Sequence, residues 1–265
     1  MFEPNVSRLL TRLSPSDLVL DVGGCGCPFN RAQYVLDAQP FDSRGFYGKI
    51  GLTPSQGGEA EWFTPDTWVQ RDICHHEPWP FPDKHFDFAI CSQTLEDLRD
   101  PLWVCSELVR VAKAGYLEVP SRLVESTMAV ERPHQAGLSH HRWLIEVSGS
   151  HVKFMQKYHA VHADWRFHLP PRFRKRLTPE SSVTWLWWEG SFSFEEIECP
   201  GGVPGIEREL QRFARLAMPS RDWLYRADTI RRRLTHFARR GWDDQKSSVV
   251  RWCKRCLARV FYSRS

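Results

Sequence analysis

A chain of 265 residues with 42% hydrophobic content is long and apolar enough to bury a full α/β core, which excludes wholesale disorder. Its net charge of +4 is uneven: residues 206–265 hold 16 Lys/Arg against 6 Asp/Glu, leaving a net −6 upstream. No run of about eighteen uncharged apolar residues occurs, and no basic stretch precedes an apolar one at the start, so neither a transmembrane span nor a secretion signal is expected. Eight cysteines, two of them in a Gly-rich turn, suit reduced thiols in a cytoplasmic setting better than a disulfide framework.

In chain order, "VSRLLTRL" (6–13) spaces its apolar residues as a helix does, and "DLVLDV" (17–22) and "AQYVLDA" (32–38) read as buried strands. "TWVQRDI" (67–73) and "HFDFAICS" (85–92) are the next two strands, "DPLWVCSELVRVAK" (100–113) a helix and "AGYLEVP" (114–120) a fifth strand. Short, nearly continuous apolar strands between helices or loops argue for a mostly parallel sheet covered on both faces. After an irregular segment, "RWLIEVSGSHVKFMQK" turns as a hairpin about Ser-Gly-Ser, and "HADWRFHLPPRFRKRLTPE" (162–180) reads as a basic surface loop or lid. "SVTWLWWEGSFSFEEIEC" (182–199) is a long strand or hairpin giving the sheet an antiparallel edge, its tryptophans more fitted to core than to a binding platform. Three basic amphipathic patterns follow within 206–265.

In such sheets ligands sit beyond the carboxyl ends of the strands. Gly23, Gly24 and Gly26 follow the first strand, where a chain without Cβ atoms turns sharply and brings its N–H groups close to a ligand. Asp37 ends the second strand, where an acid accepts hydrogen bonds from a pair of ribose hydroxyls. A dinucleotide fingerprint requires Gly-x-Gly-x-x-Gly opening a helix; "GGCGCPFNRAQ" meets Pro28 and soon reaches the next strand, so a nucleoside without phosphates fits better.

"VLDVGG" (19–24) with Asp37, "RDI" (71–73), "WPFPDKHFDFAICSQTLEDLRDP" (79–101), "ELVRVAKAGYLEVP" (107–120) and "HHRW" (140–143) together resemble a class I S-adenosylmethionine-dependent methyltransferase, of the methyltransferase type 11 kind. The resemblance spans roughly residues 17–147 and is most specific from Pro80 to Pro120. It implies a Rossmann-like fold, methyl transfer as the activity and S-adenosylmethionine as cofactor. It further implies that Asp21 and Gly23 lie by the methionine part, Asp37 on the ribose, Asp72 on the adenine amino group, Ile73 against the ring, and Ser92, Gln93 and Leu95 around the pocket. The chain departs from the family at Cys25 and Cys27, which stand where glycines are usual, in the short connection between the first two strands, and at Asp97, where many relatives have His.

A hydroxyl acceptor must lose its proton during an in-line methyl displacement. Candidate bases are His140 and His141, then His134, in a His-bearing segment that also carries Glu118, Glu125 and Glu131. Glu96 is balanced between starting the following helix and touching cofactor or substrate. No metal site is expected: adjacent histidines point in different directions, and "CKRC" (253–256) stands without a second ligand pair. The resulting expectation is a methyltransferase domain over 1–205 with an insertion at 121–180, then a basic helical extension over 206–265. The acceptor is a small molecule or glycan-type oxygen or nitrogen. The alternatives are a non-catalytic scaffold acting through the basic tail and an RNA methyltransferase, with nucleic acid not favoured and peripheral membrane contact open to the tail.

Overall fold

The computed structural model describes residues 1–49 and 56–218, with Ile230, Arg231 and Leu234. Helix α1 (Glu3–Arg12) has Pro4 in its first turn, where a missing N–H costs nothing, and buries Val6 and Leu9 on one stripe. Strands β1 (Val19–Val22), β2 (Tyr34–Asp37), β3 (Trp68–Gln70), β4 (Phe86–Ser92) and β5 (Ala112–Pro120) form one sheet, with the short helix α2 (Phe46–Lys49) between β2 and β3 flanked by single 3-10 turns. Their order across the sheet is β3-β2-β1-β4-β5, all parallel, and β8 (Val183–Glu189) closes the edge antiparallel to β5.

Both faces of this sheet are covered, which is why its strands read as continuous apolar runs rather than alternations. Phe88, Ile90 and Tyr116 point to α1 and pack with Val6, Leu9 and Leu13. Ala89, Cys91 and Leu117 point the other way, to Val104, Cys105 and Leu108 of α3 (Pro101–Val111). The Asp100 side chain caps α3 by accepting the Trp103 N–H at 3.0 Å, and Pro101 fixes its first turn. The sheet therefore presents its carboxyl edge, with the Gly-rich turn, Asp37, Gln93 and Ser121, to one side of the molecule.

The insertion builds a second layer. After α4 (Arg122–Glu125), strands β6 (Trp143–Ser148) and β7 (His151–Gln156) make the expected hairpin. The 182–199 segment is not a hairpin: at Gly190, with φ of +70°, the chain leaves the first sheet, and β9 (Ser193–Glu196) pairs parallel with β7. Trp143, Ile145, Val152 and Phe154 share one core with the first sheet. Among the tryptophans, Trp188 joins the core, while Trp187 lies against α1 beneath Arg8 and Arg12. The 162–180 segment, expected as a surface loop, is pinned by buried Phe167, Leu169 and Phe173 after α5 (His159–His162). Burial holds its His162 and His168 at about 2 and about 4, so both imidazoles are neutral at physiological pH.

Helix α6 (Gly202–Ala217) runs across the boundary expected at 205/206, burying Ile206, Leu210 and Ala214 at a spacing of four. Two compact units result, Met1–Ala214 and Arg215–Ser265. The two later basic patterns, and "CKRC" with them, lie outside the described residues. No helix among the described residues is long and apolar enough to cross a membrane.

Candidate active site

The Gly-rich turn is held by strand-end groups. Gly23 has φ of +74°, and a Cβ there would stand 2.3 Å from Thr94 Cγ2, so only glycine lets the turn approach the β4 loop. Thr94 secures that approach with a hydroxyl shared between the Ser92 carbonyl at 3.0 Å and the Gly23 carbonyl at 3.2 Å. At Gly24 a Cβ would meet Asp21 Oδ2 at 2.5 Å. Gly26 is buried within the turn. Cys25, standing where a glycine is usual, adopts φ of +41° and donates its N–H to Asp37 Oδ2 at 2.8 Å. The eleven residues 23–33 cross from β1 to β2 without a helix, and fully buried Phe29 fills the space beneath α1.

The acids at the strand ends differ in state. Asp21 is buried and accepts the Phe29 N–H at 2.7 Å; burial pushes its carboxyl up to about 7, against the pull of that bond. Asp37 is raised as well, chiefly by burial, with the Gln39 and Cys25 N–H groups opposing. Each Asp37 oxygen accepts one backbone N–H, Oδ1 from Gln39 at 2.6 Å and Oδ2 from Cys25, and each retains a second lone pair. Asp72, two residues past β3, pairs with Arg99 at 2.5 Å and accepts the Cys74 N–H, which together hold its carboxyl below the ordinary range. These residues fit a nucleoside with a free ribose diol, since a carboxylate with open lone pairs stands beside a turn that admits close backbone approach. A pyrophosphate lacks its helix N-terminus here.

Beyond the ends of β4 and β5 a cavity of about 1030 Å³ opens, lined by Gln93, Glu96, Asp97, Glu118, His140 and His141 among others. Gln93, at φ of +54°, donates its Nε2 to Glu118 Oε1 at 3.2 Å, and Ser92 Oγ lies 3.5 Å from the same oxygen. Fully buried Glu118 also accepts the Phe2 N–H at 3.0 Å and the Tyr116 hydroxyl at 2.5 Å. Arg174 and Leu177 of the 162–180 segment close part of the rim.

The histidines separate by environment. His134 is exposed and does not line the cavity; His140 lines it and is half-exposed; His141 lines it and is buried. His141 Nδ1 lies 2.9 Å from Glu125 Oε1, and Lys157 Nζ donates to Glu125 Oε2 at 2.6 Å and to the Leu138 carbonyl at 2.6 Å. Burial works against the charge of Glu125, but His141 and Lys157 together hold it below its ordinary value. An ionised carboxylate only accepts, so Nδ1 carries a proton, which in the neutral imidazole leaves the lone pair on Nε2. Ile73 and Leu95, expected around the cofactor, are packed in the main core, from where they support the loops carrying Asp72 and Gln93.

Three roles emerge only from the structure: Thr94 as the clamp on Gly23, Glu125, already named among the carboxylates of the His-bearing segment, as the acid that orients His141, and Lys157 as its counter-ion. All three stood inside segments already quoted, but a lysine at the end of a hairpin strand carries no sign of its buried partner.

The order β3-β2-β1-β4-β5 with an antiparallel strand beside β5, and a Gly-rich turn against strand-end acids, meets a further observation. Residues 54–117 match the family model of a methyltransferase domain. Over that stretch, which holds β3, β4, α3 and most of β5, the chain is similar to a methyltransferase domain. Solved structures similar to it include a SAM-dependent methyltransferase from Aquifex aeolicus, 22% identical over 44% of this chain and 65% of that one, with a TM-score of 0.29. Another, from Methanosarcina mazei, is 21% identical over 43% and 57%, at 0.30. An S-adenosylmethionine-dependent methyltransferase from Mesorhizobium loti is 14% identical over 61% and 66%, at 0.34. In each, the similarity spans less than two thirds of the solved chain. No curated protein matches.

Proposed function

We propose that the chain transfers a methyl group from S-adenosylmethionine to an oxygen or nitrogen of a small-molecule or glycan-type acceptor seated in the cavity beyond β4 and β5. The observation that carries this reading is the adjacency of the two halves. Thr94 binds the Gly23 carbonyl on the cofactor side, while its neighbour Gln93 lines the acceptor cavity. The bound cofactor supplies an electrophilic methyl group on a sulfonium that leaves as a neutral thioether. Asp37 holds the ribose diol through its open lone pairs, Asp72 receives the adenine edge, and Asp21 lies by the cationic methionine part. Gln93, fixed by Glu118, borders the path between the two sites. His141 is the residue that activates the acceptor: Glu125 fixes its tautomer, and Nε2 has no hydrogen-bond partner among the described residues. His134, exposed and away from the cavity, takes no part.

Calorimetric titration of S-adenosylmethionine and its demethylated product into the full chain tests the cofactor half. Micromolar binding that Asp37→Ala abolishes is expected, followed by an acceptor screen over small hydroxyl and amine compounds. Absence of binding to the unaltered chain overturns the reading.

A further inference from the structure

Asp97, His140 and His141 each offer a ligand atom, and these atoms all lie within 4.8 Å of one another. Although adjacent in sequence, the two imidazoles converge rather than diverge, with ring centroids 4.4 Å apart and planes at 78°. The turn before β6 achieves this by sending His141 inward to Glu125 and leaving His140 on the rim, where its Nδ1 stands 3.9 Å from Glu131 Oε1. Ligand atoms on a tetrahedral ion with bonds of about 2.1 Å lie about 3.4 Å apart, so modest rotation of the exposed Asp97 and His140 side chains closes the set.

Two independent features point to an ion. The first is the support behind His141: a histidine ligand characteristically donates its remote ring N–H to a carboxylate, which fixes the tautomer and raises the basicity of the ligating nitrogen. Glu125 is such a carboxylate, itself held by Lys157. The second is Glu96, 2% exposed and lining the same cavity, whose buried Oε2 has no hydrogen-bond partner among the described residues. A buried carboxylate oxygen left without a donor is costly, and a cation in the cavity would supply what the protein does not.

We propose that Asp97, His140 and His141 bind a divalent first-row transition-metal ion at the mouth of the acceptor cavity, which Glu96 also lines. Two imidazoles and one carboxylate form a mixed nitrogen–oxygen set suited to zinc, manganese, cobalt or iron, whereas magnesium and calcium favour all-oxygen shells. Three protein ligands leave positions open, as at catalytic rather than structural sites. The inference deepens the methyl-transfer reading by assigning how His141 activates the acceptor. Its Nε2 goes to the ion, and the ion lowers the pKa of a coordinated acceptor hydroxyl, whose proton leaves to solvent. The acceptor class follows: a molecule with an oxygen or nitrogen able to coordinate the ion while its lone pair faces the methyl group.

The experiment is titration of chelator-treated full chain with Co²⁺, followed by visible absorption, with Zn²⁺ competition and millimolar Mg²⁺ as comparison. Expected is one high-affinity ion per chain with d–d bands of nitrogen–oxygen ligation, displaced by Zn²⁺ and not by Mg²⁺. Asp97→Asn and His140→Ala, both at exposed positions and so not prone to unfold the chain, should each weaken binding at least tenfold. Glu125→Gln, behind the ligands, should weaken it ten- to a hundredfold. Binding of unaltered strength in Asp97→Asn and His140→Ala, or an intense near-ultraviolet thiolate band that marks cysteine ligation, overturns the assignment. S-adenosylmethionine affinity, measured on the same samples, separates the two readings: a cofactor that binds while Co²⁺ does not leaves methyl transfer standing and removes the ion.

Discussion

Glu125 Oε1 stands 2.9 Å from His141 Nδ1, while its other oxygen accepts the Lys157 ammonium at 2.6 Å, so one buried carboxylate joins a cationic anchor to the imidazole at the cavity wall. The three residues come from α4, the turn before β6 and the end of β7, and their meeting ties three separate parts of the insertion together. Glu125→Gln keeps the shape but removes the charge that fixes the tautomer and compensates Lys157. Stability should fall by about 3 kcal/mol, in the range for breaking a buried ion pair. Methyl transfer should drop ten- to a hundredfold in kcat with KM for S-adenosylmethionine unchanged. Urea unfolding and steady-state kinetics check the two effects, and an unaltered kcat would show that His141 needs no orienting acid.

Asp21 sets a dependence on pH. An acid whose pKa is about 7 when folded and 3.8 in the open chain holds its proton preferentially in the native state. The stability this confers is present at low pH and is lost as pH rises from about 4 through 7. Asp21→Asn keeps an acceptor for the Phe29 N–H and removes the titration. Relative to the unaltered chain, the variant should gain about 3 kcal/mol in unfolding free energy between pH 5 and pH 8, at about 1.4 kcal/mol per pH unit. Parallel denaturation curves at the two pH values measure that difference; a constant gap between variant and parent contradicts a raised Asp21.

Cys25 occupies the left-handed region at φ of +41°, where its Cβ costs about 1 kcal/mol relative to glycine. Cys25→Gly should therefore be neutral to stabilising, by up to about 1 kcal/mol once the greater freedom of glycine in the unfolded chain is counted. The Cys25 N–H bond to Asp37 is a backbone contact and survives the change. Cofactor affinity should hold or improve, since the side chain leaves the turn. Thermal melts with and without S-adenosylmethionine read both quantities, and a loss of more than 1 kcal/mol would mean that the thiol itself packs against something the turn requires.

Strands β1 to β5 were legible because a sheet covered on both faces requires apolar residues at every position, and "VLDV", "YVLD" and "FDFAICS" meet that demand locally. Asp21 and Asp37 were legible for a related reason: an acid ending an apolar run has few other places to be. The route of 182–199 was not, since the Glu-Gly-Ser turn at 189–191 reads equally as a hairpin or as an exit to another sheet. What decides is Phe192 packing on Trp188 and β9 finding the β7 edge, contacts that no local pattern encodes. The convergence of His140 and His141 likewise depends on Glu125 and Lys157, 16 and 32 residues from their partners in the buried cluster. Adjacent residues point apart in an extended strand, but here they lie in a turn, where that alternation does not hold.

Gly115 shows how closely β5 is packed against its antiparallel neighbour. A Cβ built there would lie 2.5 Å from the Ala89 carbonyl oxygen and 2.5 Å from Trp188 Cζ2, backbone on one side and a buried indole on the other. Neither yields cheaply: the carbonyl belongs to the β4 ladder, and Trp188 is itself pressed against Phe192. Gly115→Ala should thus destabilise the chain by about 1–3 kcal/mol through overpacking, although alanine has the better intrinsic strand fit. The cavity lies at the far end of β5, so the loss should appear in unfolding rather than in cofactor affinity. A lowered urea midpoint with an unchanged dissociation constant for S-adenosylmethionine is the expected pair of results. An unchanged midpoint would mean that Trp188 can rotate off the strand, and a weakened cofactor would mean that strain at the β5–β8 seam reaches Glu118 and the Gln93 that it holds.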